Sequence, residues 1–268
     1  MDNRPIGVFD SGLGGLTAVR EIMQRLPDEN IVYFGDTGRV PYGARSKETI
    51  IKYTRQDIRF LQQFDCKTLV IACGTASSVA LDTVCEDYGI PIIGVVKATV
   101  HRACCATRNG KIGVIGTHAT IQSGSYVRLI AEENAALTTF AAACPLFVPL
   151  VENGRIAPED AILKLAVAEY LAPLRDAGVD TLILGCTHYP IIAQAIGAFM
   201  GDGVTLINPG YEAARYLSGM PEFQPCAARH GSCRFFVSDD VASFTSSASM
   251  FLGRSIEGAV ELVNIESI

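Results

Sequence analysis

No run in this 268-residue chain approaches the ~18 consecutive apolar residues that a membrane-spanning helix requires, so none is expected. Positive charge is also scarce. With 22 Lys and Arg against 28 Asp and Glu, the chain carries a net charge of −6 and no basic stripe, which argues against nucleic acid or an anionic membrane as partner. Small anionic ligands at local sites remain open. The N-terminus does not read as a signal peptide, because charged Asp2 and Arg4 run straight into a strand. The nine cysteines lie mostly in apolar or helical surroundings of a large α/β chain, so reduced thiols and a cytoplasmic location are expected. Cys66, Cys85 and Cys144 read as core filler. Cys226, His230 and Cys233, near Cys104-Cys105, lack a second properly spaced Cys/His pair, so no metal is expected. No low-complexity linker appears.

What the chain does contain is a repeat. Thr68-Leu-Val-Ile-Ala-Cys73 has a counterpart in Thr181-Leu-Ile-Leu-Gly-Cys186, and Ile6-Gly-Val-Phe-Asp10-Ser11 has one in Ile112-Gly-Val-Ile-Gly116-Thr117. Asn30–Asp36 aligns with Pro145–Glu152, and Pro91–Val96 with Val204–Ile207. The offsets, about 106 to 115 positions, are domain-sized and too long for a solenoid unit. At 49% hydrophobic residues the chain has enough apolar matter for two cores.

Short β-branched runs at 6–9, 31–35, 68–72 and 92–96 alternate with segments of helical period such as 17–26 and 46–64, the latter opened by Ser46 as N-cap. The second half repeats this, with strands expected at 112–115, 146–151, 181–185 and 204–207 and a helix in 158–176. A helix near 211–218, a strand at 234–237, a helix near 240–252 and a short terminal strand around 259–265 follow. This pattern predicts an α/β fold of two similar lobes, each a parallel-type sheet flanked by helices, related by a pseudo-twofold axis with the active site between them. Ligands of such sheets sit beyond the carboxyl ends of the strands. The residues there are Asp10-Ser11, Asp36-Thr37 and Cys73-Gly74-Thr75 in one lobe, and Gly116-Thr117, Glu152-Asn153 and Cys186-Thr187-His188 in the other.

Lobes packed face to face would bring Cys73 and Cys186 to opposite sides of one carbon. That arrangement suits inversion of a stereocentre: one thiolate removes a proton and the facing thiol supplies another. A strand-to-helix junction at each cysteine should lower its thiol pKa through the helix N-terminus. Asp10 and His188 are placed to relay protons. Asp36 or Glu152 could equally cap the following helix. The turn Asp10-Ser-Gly12-Leu-Gly14-Gly15-Leu-Thr17 admits a rival reading as a dinucleotide site, but Thr17 stands where the third glycine belongs. That reading also leaves the paired cysteines unexplained.

These residues resemble the cofactor-independent glutamate racemases of the aspartate/glutamate racemase superfamily. The motifs are Phe9-Asp-Ser-Gly-Leu-Gly-Gly-Leu-Thr17, Gly35-Asp-Thr37, Val40-Pro-Tyr-Gly43, Ala72-Cys-Gly-Thr-Ala76, Gly116-Thr117, Val151-Glu152 and Gly185-Cys-Thr-His-Tyr-Pro190. The similarity runs from Ile6 to about Tyr216. The resemblance implies that Cys73 acts on the D- and Cys186 on the L-enantiomer, supported by Asp10 and His188. Ser11, Tyr42, Gly43, Gly74, Thr75, Thr117, Thr120, Glu152 and Thr187 would surround the substrate. It further implies D-glutamate supply for peptidoglycan, no cofactor, a homodimer, and a discontinuous lobe one of residues 1–97 plus 208–268 around a lobe two of 98–207. An aspartate or other small-acid racemase, or a non-catalytic amino-acid-binding paralogue, are the alternatives. The chain departs from the family pattern at Gly74, where Asn is usual, at Lys97-Ala98 in place of Glu-Pro, and at Asn208-Pro209-Gly210 in place of Asp-Ser-Gly. On the resemblance alone, returning Asn to position 74 should raise kcat/KM at least about tenfold.

Overall fold

The computed structural model describes residues 2–221, 223, 231–256 and 260–268. Its strands, in chain order, are β1 (Ile6–Asp10), β2 (Ile31–Gly35), β3 (Thr68–Ile71), β4 (Ile92–Gly94), β5 (Lys111–Gly116), β6 (Thr138–Ala143), β7 (Thr181–Leu184), β8 (Thr205–Ile207), β9 (Cys233–Val237) and β10 (Val260–Leu262). They form two sheets, one ordered β10-β9-β2-β1-β3-β4 and one ordered β6-β5-β7-β8. Among the described residues every pairing is parallel. The order β2-β1-β3-β4 recurs as β6-β5-β7-β8, which is the expected duplication in three dimensions. The first sheet adds β9 and β10 from the end of the chain.

β1, β2, β3 and β7 are buried along their whole length, as befits central parallel strands covered on both faces. The flanking helices carry the expected stripes. Helix Leu16–Arg25 buries Leu16, Val19 and Ile22 and exposes or half-exposes its charged residues. Ser46 caps helix Lys47–Gln62 by accepting a hydrogen bond from the Thr49 N–H, and Asp160 does the same for Ala161–Asp176 through Ile162 and Leu163. Among the described residues, no helix is long and apolar enough to cross a membrane.

One element differs in type. Residues 147–152 form a helix, Phe147–Glu152, and the second strand of that lobe is Thr138–Ala143 instead. The physical reason is that Phe-Val-Pro-Leu-Val is apolar without alternation, so composition alone does not separate a short strand from a buried helical turn. Pro149 sits in the helix's first turn, where no N–H donor is needed. The true counterpart of β2 is therefore β6, and Glu152 ends a helix.

Candidate active site

The carboxyl ends of β1 and β3 face those of β5 and β7 across a cavity of about 370 Å3, within the usual size range of small-molecule sites. Its walls include Ser11, Tyr42, Gly43, Cys73, Gly74 and Thr75 from one side and Thr117, Glu152, Cys186, Thr187 and His188 from the other. Asp10 and Thr120 lie just behind this lining, almost wholly buried.

Cys73 follows β3 and caps helix Gly74–Val79, where its Sγ accepts from the Ala76 N–H at 3.4 Å. The Cys73 thiol also lies 3.6 Å from Ser11 Oγ. The sequence suggests a thiol acidified by the helix terminus. Burial wins instead: desolvation, then the neighbouring Asp10, push the Cys73 thiol up to about 12 against those hydrogen bonds. Asp10 is itself raised by burial, although the His188 charge and the Gly12 N–H oppose this; its Oδ1 accepts from Gly12 N at 3.0 Å.

Cys186 stands differently. It precedes a short 3₁₀ turn, Tyr189–Ile192, so an α-helical terminus does not act on it directly. Its Sγ is 3.8 Å from His188 Nδ1, and His188 Nε2 is 3.0 Å from Glu152 Oε1. Burial opposes protonation of His188, yet the bonds to Cys186 and Glu152 outweigh it and carry the imidazole up to about 10. One thiol is thus served by a carboxyl group and a hydroxyl, the other by an imidazolium anchored on a carboxylate.

Hydroxyls bridge the lobes between the two thiols. Thr75 Oγ1 meets Thr117 Oγ1 at 2.9 Å and Thr120 Oγ1 at 3.4 Å. Thr187 Oγ1 donates to Asp10 Oδ2 at 3.5 Å, and Thr17 Oγ1 donates to the Thr187 carbonyl at 2.9 Å. Tyr42 lines the cleft, but its hydroxyl points into a buried cluster. It touches Asp36 Oδ2 and lies 2.9 Å from Asp57 Oδ2. Arg39 binds Asp36 at 2.7 Å, Asp57 at 3.0 Å and Gln56 at 2.6 Å. Burial and then Asp36 hold Asp57 well above the usual carboxyl range. The Tyr42 hydroxyl thus bridges the two carboxyl groups, and Arg39 faces both. Asp36 therefore belongs to this cluster and caps no helix through its side chain.

Part of the wall carries no signal in the sequence that marks it as a site. Val40, Pro41, His118, Cys144, Pro145, Val148 and Pro149 line the same cavity. Cys144 reads as filler from its apolar setting; it is buried, with its thiol directed to the Ala142 carbonyl at 3.8 Å, and it also borders the cavity. Among the described residues, no group of three or more His, Cys, Asp or Glu side chains could hold a metal ion. Cys226 and His230 lie outside the described residues.

The raised pKa of His188 has a sign in stability. Charged in the fold up to about pH 10 but only to about 6.5 when free, it contributes stability fully below pH 6.5, and the contribution is lost as pH rises through 10. The melting temperature should therefore fall between pH 7 and 10. Glu152→Gln, which removes one of the two groups that hold the charge, should lower it by roughly 2–4 °C at pH 7 and flatten that decline. An equal slope in both proteins would show that Glu152 does not sustain the charge.

Two parallel-sheet lobes meeting over a pair of thiols, each with its own proton-carrying neighbour, define an enzyme class that works on both faces of a small ligand. Residues 11–217 match the Asp/Glu/Hydantoin racemase family. The chain belongs to that family. It is 43% identical over 268 residues to the glutamate racemase of Geobacter metallireducens, covering 98% of each chain. Among solved structures, it is similar to a glutamate racemase isoform from Bacillus anthracis, with a TM-score of 0.92, 39% identity and 98% of both chains covered. It also resembles the Francisella tularensis glutamate racemase solved with D-glutamate, with a TM-score of 0.91, 39% identity and both chains covered in full.

Proposed function

We propose that the chain is a glutamate racemase that interconverts L- and D-glutamate by proton transfer between Cys73, Cys186 and Cα. The observation that carries this is the convergence of both strand-end thiols on one cavity, together with near full-length likeness to glutamate racemases. Cys186 as thiolate takes the α-proton of L-glutamate while Cys73, whose thiol burial favours, gives its own proton to the opposite face. The Cα–H bond breaks as an S–H bond forms on one side, and the reverse occurs on the other. D-glutamate reacts in the opposite sense. His188 and Asp10 reset the two thiols, each standing on its own side of the cleft.

Ser11, Tyr42, Gly43, Gly74, Thr75, Thr117, Thr120, Glu152 and Thr187 surround the substrate in this reading. Short hydroxyls and backbone N–H groups suit two carboxylates and an ammonium. The lobes comprise 1–97 with 208–268 and 98–207, and the protein works as a cytoplasmic homodimer that supplies D-glutamate for peptidoglycan. In deuterated buffer the purified protein should exchange the α-proton of glutamate faster than that of aspartate or other small acids, and dialysis against a chelator should leave the rate unchanged. Preferred exchange of aspartate would move the assignment within the family. No exchange with any amino acid would favour a binding paralogue.

A further inference from the structure

We infer that Gly74 is the spacer that sets the gap between the two thiols, by letting the backbone of one lobe touch the backbone of the other. This rests on the two-thiol reading above and deepens it. A Cβ at position 74 would stand 2.3 Å from the Gly185 carbonyl oxygen and 3.6 Å from Cys186 Cα. Both sides are held by regular structure. Gly74 opens helix Gly74–Val79 directly after Cys73, and Gly185 is pinned at the end of β7 by its N–H bond to the Ile115 carbonyl at 2.7 Å. Gly185 is also confined from behind, since a Cβ on it would lie 2.6 Å from the same carbonyl.

Two other glycines of the first lobe meet the second lobe at the same seam. A Cβ on Gly14 would lie 2.1 Å from Thr187 Oγ1 and 2.6 Å from His188 Nδ1, and one on Gly43 would lie 2.7 Å from Thr117 Cβ. Those neighbours are side chains, which can turn. At Gly74 the neighbour is backbone, and it belongs to the residue that precedes the second thiol. Ordinary carbon contacts need about 3.4 Å or more, so any side chain at 74 moves the 185–186 segment about 1 Å away from Cys73. The expectation that Asn at 74 improves catalysis therefore reverses: the amide comes with a Cβ that this seam does not admit.

The two chemical events have different tolerances for such a shift. Inversion needs both thiols within reach of one carbon, whereas exchange with solvent and return to the same face needs only one. A 1 Å misplacement costs about 100-fold in a step that depends on alignment. Gly74→Ala and Gly74→Asn should each invert glutamate about 100-fold more slowly than the parent in deuterated buffer. They should still wash deuterium into the unreacted enantiomer, so that the ratio of exchange to inversion rises at least about tenfold. Gly89→Ala, where nothing lies within 4 Å, should behave as the parent. If Gly74→Ala does not fold, Gly14→Ala carries the test at lower amplitude: the side chains of Thr187 and His188 can turn to admit its Cβ, so the ratio of exchange to inversion should rise by less than about tenfold, and an unchanged ratio would count against the seam as the spacer. Inversion at the parent rate, a gain with Asn, or a parallel loss of exchange and inversion would each overturn the proposal. A parent protein that neither exchanges nor inverts glutamate would instead remove the functional reading on which it stands.

Discussion

Cys73→Ala and Cys186→Ala are each expected to lose glutamate racemisation by about 100- to 10,000-fold, the usual range for removal of a positioned acid or base. The argument is geometric before it is electrostatic. Each thiol reaches the cavity from a different sheet, so no other wall residue named above repeats the position of either. The two losses should also differ in kind. Cys73→Ala keeps the thiol with the imidazolium partner, and should still exchange the α-proton of L-glutamate without inverting it. Cys186→Ala should do the same for D-glutamate. Chiral analysis with mass detection after incubation in deuterated buffer separates these outcomes. Parent-rate racemisation in either variant would sink the two-base assignment.

The largest expected effect on stability lies outside the chemistry, at Arg39. This guanidinium bonds both buried carboxyl groups, Asp36 at 2.7 Å and Asp57 at 3.0 Å, and it also stacks 4.2 Å from the Tyr53 ring centre. Arg39→Ala leaves the buried carboxyl pair without this cation, a change that costs roughly 3–5 kcal/mol. For a chain of this size that corresponds to a fall in melting temperature of the order of 10 °C. Arg39→Met retains most of the stem and loses only the charge, so it should fall nearly as far. If Met restores the parent value, packing rather than charge is the cause. Because Tyr42 hangs from the same two carboxyl groups while lining the cleft, whichever variant folds should also show a raised KM for glutamate.

The sequence announces the parts of this molecule that are buried, continuous and duplicated. β1, β3, β5 and β7 are short runs built around Val, Ile and Leu that are almost wholly buried in two sheets, and the cysteines beyond the ends of β3 and β7 stand out because the same word occurs twice. β6 is invisible for the opposite reason. Thr-Thr-Phe-Ala-Ala-Ala lies at a sheet edge, half exposed, and alanine has little strand preference of its own. The Arg39 cluster is likewise silent, because Asp36, Arg39, Tyr42, Gln56 and Asp57 come from two 3₁₀ turns, a strand end and a helix, and only folding gathers them. Gly74 reads in one dimension as a missing side chain. In three dimensions it is a place where two main chains touch.

The late return of β9 bears on how the chain is made. Its five residues pair with the whole of β2, from Ile31 with Cys233 to Gly35 with Val237. A ribosome emits the amino end first, so β2 is synthesised some two hundred residues before its outer neighbour exists. During that interval an apolar strand offers an open edge to any other nascent chain. The second sheet has no such debt, since β5 to β8 arrive in one uninterrupted stretch. Vectorial folding therefore closes the second sheet while the first still waits for its last third, and a chain truncated before Cys233 leaves the β2 edge permanently uncovered.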